Sequence, residues 1–235
     1  MPIPSDVHAS GPGKSGGGGS LNITIDGDSA QSLPYVTASV DSACEQLSSS
    51  GHISSVVFEF TDTSDSPSRQ RRKADIDHIR RWEYAVRRIE RSDVVSIAVV
   101  RGFCQGASVD LLLAADYRVA TPDVRLAFGA DDRLMWPGMA MYRLTRQIGT
   151  ARVRQLLIRG SDLSADEAYG LGVIDEVTTD VGRVLAQVSA RSARIAGGDI
   201  AVRRSLIHEA SELEFDEAIG VHLAACDREL RRLDD

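Results

Sequence analysis

The chain has 235 residues and a formal net charge of −7, with a pI near 5.3, and its 43% hydrophobic content is ample for one large core. The acidic balance argues against nucleic acid as the main partner. Cys44, Cys104 and Cys226 are far apart, odd in number and without a CxxC pair, so neither a disulfide framework nor a zinc site is expected. No apolar run approaches the ~20 residues of a membrane span. A basic region followed by an apolar one is missing from the start of the chain, so no secretory signal is expected and a cytoplasmic location is.

Residues 1–20 include GPGKSGGGGS and read as a disordered tail. The GKS at Gly13 has no strand before it and flexible glycines where a helix would start, so it is not a phosphate loop. Residues 21–26 alternate as a strand, and 34–47 carry Val36, Val40, Ala43, Cys44 and Leu47 at helical spacing. A second strand is expected over 56–60, then a loop over 61–67. A helix from Asp75 aligns Ile76, Ile79, Trp82, Val86 and Ile89, with Arg80, Arg81, Arg87, Arg88 and Arg91 mostly outside.

The run 94–100 is almost wholly apolar and β-branched, the mark of a strand buried on both faces. Gly106-Ala107-Ser108 then opens a buried helix over 109–115, with Asp110 in its first turn. Strand, small-residue turn and helix place free backbone N–H groups at a helix N-terminus, where the dipole favours negative charge. This layout suits an oxyanion beside a carboxylate.

Short strands follow at 117–120 and 125–128, then helices at 139–148 and 151–158 separated by Gly149. Ser164 and Glu167 form a capping box, and Gly172 ends that helix before a strand at 173–177. Helices at 181–196, 200–209 and 214–232 complete an α/β pattern, a sheet covered by helices. The division expected is a tail over 1–20, a core over 21–198 and a C-terminal helical segment over 199–235. His8, His52, His78, His208 and His222 show no ligand spacing, and Ser108 is not in a GxSxG elbow, so neither a metal site nor a serine hydrolase is indicated.

The run GFCQGASVDLLLAADYRVAT, followed by Trp136-Pro137-Gly138, MYRLTRQIG and RQLLIRGSDLSADEAYGLGVIDEV, resembles the crotonase (enoyl-CoA hydratase/isomerase) superfamily. The WPGMAMYRL run and the shortened middle are most similar to the enoyl-CoA hydratase-like helper branch of 3,5-dihydroxyphenylacetyl-CoA synthesis, which supplies dihydroxyphenylglycine to glycopeptide-type antibiotics. The resemblance implies a spiral of ββα units with C-terminal helices, and a trimer, a hexamer or a hetero-complex. It also implies an acyl-CoA thioester substrate, with coenzyme A entering as part of the substrate and no separate cofactor.

By that resemblance Gly106 and Ala107 occupy the oxyanion turn, with Ala107 N–H as one donor. The second donor belongs to a loop where TDTSDSPSRQRRKADI departs from the family pattern, and Arg72 N–H is the candidate. Arg71, Arg72 and Lys73, with Arg69, either contact the coenzyme A phosphates or form a solvated basic loop. Trp136, Pro137 and Gly138 either line the acyl pocket or pack as core. The family's first catalytic Glu falls on Asp110. The second falls on Ala130, with Asp131 one position away and Asp132 two, so either a local shift restores an acid or these residues form a polar turn. Asp116 is expected to hold nearby backbone or an arginine.

The function expected is oxyanion-hole stabilisation of an enolate on a polyketide-derived thioester. It would assist dehydration and aromatisation to 3,5-dihydroxyphenylacetyl-CoA beside a type III polyketide synthase and a second crotonase. The alternatives are a general enoyl-CoA hydratase or isomerase, and a non-catalytic partner that stimulates the synthase.

Overall fold

The computed structural model describes residues 9–10, 19–25, 32–61, 75–128, 138–160, 162–195, 198–210 and 212–234. A six-stranded sheet forms the centre. Its strands are β1 (Ala9–Ser10), β2 (Gly19–Ile25), β3 (Ile53–Phe60), β4 (Val95–Val100), β6 (Tyr117–Ala120) and β9 (Glu176–Val177), in that spatial order. Pairing is parallel throughout except between β1 and β2. A second sheet takes β5 (Phe103–Gln105), β7 (Arg125–Ala127) and β8 (Leu163–Ser164).

Strand alternation decides which residue meets which layer. On β3 and β4, Val56, Phe58, Phe60, Ala98 and Val100 face the main core. Helices α1 (Leu33–Ser49), α2 (Ile76–Glu90) and α3 (Ala107–Ala114) supply the other side of it, with Val36, Val40, Trp82, Val86, Leu111 and Leu112. Val57, Val95, Ile97 and Val99 point the opposite way, against Val181 and Val184 of α7 (Val181–Ile195). Both faces of β4 are therefore covered, which accounts for a strand that is apolar at every position but Ser96.

Two units share one design. In each, the first strand joins the large sheet, the second joins the small sheet and a helix follows: β4, β5 and α3, then β6, β7 and α4 (Ala140–Ile148). The switch in the first unit occurs at Arg101-Gly102, where Gly102 has φ 58°, a conformation that favours glycine. This is the ββα arrangement that the resemblance implies. The remaining helices are α5 (Thr150–Arg159), α6 (Ala165–Gly170), α8 (Gly198–Ala210) and α9 (Phe215–Asp234). No helix among the described residues is long and apolar enough to cross a membrane.

Several expectations are corrected. Ala9–Ser10 pairs with Ile23 and Asn22, and Gly19–Ser20 belongs to β2, so the segment 1–20 contributes sheet edge at those positions. β3 begins three residues earlier than expected, because Ser54 and Ser55 are buried beside β2. β9 keeps two of the five residues expected, since Val173 and Ile174 enter the core as a turn after α6. Ile76 is 75% exposed and does not join the buried face of α2. The capping box at Ser164 and Glu167 is present, with Ser164 Oγ accepting from Glu167 N and Glu167 Oε2 accepting from Ser164 N.

The C-terminal helices are tied in by Arg204 of α8, which is 8% exposed. Its Nε donates to Asp116 Oδ1 at 2.8 Å, and its Nη1 donates to the carbonyls of Glu90 (2.9 Å) and Ser92 (2.8 Å). Nη2 donates to Asp116 Oδ2 and to the carbonyl of Val94. Asp116 Oδ2 also accepts from Ser96 N (2.8 Å) and Ser96 Oγ (2.9 Å). Asp116 thus holds both backbone and an arginine.

Candidate active site

Gly106 makes the turn into α3 with φ 68° and ψ −128°, a region in which a side chain would be strained. Its carbonyl accepts from Val109 N and Asp110 N, both at 3.1 Å, and so starts the helix. Ala107 is the first helical residue and fully buried. Its φ is therefore helical, which removes the steric objection to alanine in place of glycine. At this position the N–H has no acceptor within the helix. Ser108 Oγ donates to Gln105 O at 2.9 Å and locks the turn.

Asp110 follows in the first turn and is 0% exposed. Trp82 Nε1 donates to its Oδ2 at 3.0 Å. Arg143 Nη1 of α4 stands 3.9 Å from its Oδ1. Arg143 is itself clamped: Nε donates to Glu90 Oε1 at 2.8 Å, and Nη2 to Glu83 Oε2 at 2.9 Å. Glu83 Oε1 also accepts from Met139 N (2.8 Å), and Glu90 Oε2 accepts from Arg87 Nη1 (3.1 Å). Burial works against the charge on Arg143, but Glu90 and Glu83 outweigh it and hold its pKa above the ordinary value.

The cluster is therefore a carboxylate at a helix N-terminus, backed by an indole N–H and a buried guanidinium. Its chemical capacity is to offer a fixed donor at Ala107 and a fixed carboxyl group three residues further on. A carboxylate so enclosed is poorly placed to exchange a proton with bulk water.

Gly138, at the foot of α4, precedes Met139, whose N–H is held by Glu83. The carboxyl ends of β3 and β4 are register partners, Phe60 beside Val100, so the chain leaves β3 next to the Arg101-Gly102 switch. Ligands of parallel sheets bind at such strand ends. Arg71, Arg72, Lys73, Asp131, Trp136 and Pro137 lie outside the described residues. Among the described residues no His, Cys, Asp or Glu group could hold a metal ion.

Residue reading alone put Trp82 on an apolar stripe and gave no role to Arg143, Glu83 or Glu90. One signal was present: Glu83 and Glu90 are seven residues apart, two helical turns, and each adjoins a stripe residue. Two acids at that spacing beside an apolar stripe call for a buried cation. Which arginine supplies it depends on helix α4, more than fifty residues away.

Comparison with known proteins bears on the family and the fold. Residues 63–217 match the profile described as enoyl-CoA hydratase/isomerase. A protein named enoyl-CoA-hydratase from Amycolatopsis orientalis is 44% identical over 154 residues, which is 66% of this chain and 71% of that protein. The crystal structure of an enoyl-CoA hydratase/isomerase from Marinobacter aquaeolei superposes with TM-score 0.77 at 18% identity, covering 96% of this chain and 91% of that one. An enoyl-CoA hydratase from Mycobacterium smegmatis gives TM-score 0.76 at 20% identity, covering 97% and 91%. At such identities the structures bear on the fold alone, and the profile, spanning well over half of the sequence, carries the family: the chain belongs to the enoyl-CoA hydratase/isomerase family.

Proposed function

We propose that this protein binds a polyketide-derived acyl-CoA thioester and stabilises the enolate formed from it, assisting dehydration and aromatisation to 3,5-dihydroxyphenylacetyl-CoA beside a type III polyketide synthase. In this reading the thioester oxygen accepts a hydrogen bond from Ala107 N–H, and Arg72 N–H is the second donor. Asp110 is the acid/base, and Asp131 is an auxiliary acid. Arg71 and Lys73 meet the coenzyme A phosphates, and Trp136, Pro137 and Gly138 bound the acyl pocket. The observation that carries it is the pairing of a buried N1 alanine with an enclosed Asp110. Hydration uses a carboxylate to place and deprotonate a water. A carboxylate with no exposed surface suits an enolate made and quenched inside a closed site.

The second reading is a general enoyl-CoA hydratase, favoured by the name of the Amycolatopsis orientalis relative. Incubating the synthase and malonyl-CoA with and without this protein, followed by product analysis, separates the two. We expect new aromatic product with the protein present and little hydration of crotonyl-CoA by the protein alone. Robust crotonyl-CoA hydration sinks the first reading. Asp110→Asn should abolish the coupled product, whereas full stimulation by that variant makes the protein a non-catalytic partner.

Reversing the charges of Arg71, Arg72 and Lys73 together should weaken acyl-CoA binding and flatten its salt dependence. Calorimetry that finds binding indifferent to the change returns these residues to a solvated loop. A homo-oligomer is part of the same reading. Ile207, Phe215, Leu223 and Leu230 on α8 and α9 are each at least 60% exposed and offer an apolar face for it to cover.

A further inference from the structure

Arg143 has more structure around it than its charge requires. Its side chain is 9% exposed, and two glutamates of α2 already compensate it. Its third branch, Nη1, is buried, has no hydrogen-bond partner among the described residues, and points at Asp110 Oδ1 from 3.9 Å. A guanidinium is planar, so fixing Nε and Nη2 fixes the direction of Nη1 as well. A buried N–H held short of an acceptor is unfavourable and calls for an explanation.

The gap supplies one. At 3.9 Å the two groups attract as charges but are too far apart to hydrogen-bond, and a movement of Asp110 of roughly 1 Å would close it. Catalytic hydrogen bonds are often long without substrate and shorten in the complex. Trp82, which holds the other oxygen of Asp110, sits on the same helix as Glu83 and Glu90. Helix α2 therefore sets both the anchor and the clamp.

We infer that Arg143 is a positioning residue that aims Asp110 and faces it with a fixed positive charge, with Glu83 and Glu90 holding the guanidinium poised until the Asp110 carboxylate moves onto Nη1. This rests on the reading of Asp110 as the acid/base. Glu83 also holds Met139 N–H, so the same clamp ties the start of α4, next to Gly138, to the carboxylate.

The test uses the full chain and three variants, Arg143→Met, Arg143→Lys and Asp110→Asn, in the coupled synthase assay. It also follows the Trp82 indole N–H resonance in 15N-labelled protein, assigned with Trp82→Phe, with and without acetyl-CoA. Arg143→Met should lower product formation about 10²-fold, the scale of a misplaced catalytic group, at unchanged acetyl-CoA affinity, and should move the Trp82 resonance. Arg143→Lys keeps the charge and should recover at least about tenfold of that loss, by the charge contribution alone. Wild-type product formation and an unmoved resonance in Arg143→Met overturn the inference. Equal loss in both variants with an unmoved resonance overturns it too, because packing alone then explains the loss. Should Arg143→Met not fold, Arg143→Lys decides: partial loss with a moved resonance supports the inference, and wild-type behaviour overturns it. Full stimulation by Asp110→Asn removes the acid/base reading, and the Trp82 resonance then still reports separately on whether Arg143 positions Asp110.

Discussion

Ala107→Pro is expected to lower turnover by about 10²–10³-fold, the effect of deleting one oxyanion donor, while leaving the fold in place. The structure makes this a cleaner experiment than the sequence suggests. Proline in a turn of unknown conformation would disturb the backbone. Ala107 is instead the first residue of α3, the one helical position where proline is well accommodated, because its N–H is unused there and its φ is preset. Gly106, with ψ −128°, is outside the helical region that proline disfavours in the residue before it. The extra ring atoms enter a fully buried position, so overpacking of about 1–3 kcal/mol is expected and the melting temperature should fall modestly. Circular dichroism checks the fold, and the coupled assay reads the turnover. A folded variant with full turnover would remove Ala107 N–H from the site.

Arg204→Ala is expected to cost about 3–5 kcal/mol in all, because three backbone carbonyls lose their charged donor and each one left buried and unsatisfied costs roughly 1–3 kcal/mol. In a chain of this size that lowers the melting temperature by about 10 °C. The loss exceeds that of a surface ion pair because the guanidinium also satisfies three carbonyls, those of Glu90, Ser92 and Val94, between the end of α2 and the start of β4. Asp116 would be left holding only Ser96 in place of its arginine. Helix α8 would lose its polar tie to the centre of the sheet. Thermal unfolding of the variant reads the effect directly, and a melting temperature within 2 °C of the wild type, roughly 1 kcal/mol or less, would show that the tie is dispensable. The consequence reaches the site, since the same end of α2 carries Glu90, which clamps Arg143.

The elements whose burial follows a simple period were legible in the residues. The alternation on β2, the β-branched run of β4 and the stripe Trp82, Val86 and Ile89 on α2 each meet one core layer, and the period alone says which face turns inward. The box at Ser164 and Glu167 was legible for a similar reason: its bonds span three residues, and local chemistry suffices. Strand β5 was missed because three residues carry too little pattern. Phe103 to Gln105 become a strand only because Arg125 to Ala127 arrive beside them.

The sequence by itself determined the class of the molecule, the helix start at Gly106-Ala107 and the acid in its first turn, since these rest on contacts between near neighbours in the chain. Only the tertiary structure decided what that acid experiences. Trp82, Asp110 and Arg143 come from three helices and meet across separations of 28 residues and more, and Arg204 reaches Asp116 across 88. No local period encodes such meetings. They are set by how α2, α3 and α4 stack on one face of the sheet, and burial there turns an acid that looks open in the sequence into an enclosed carboxyl group.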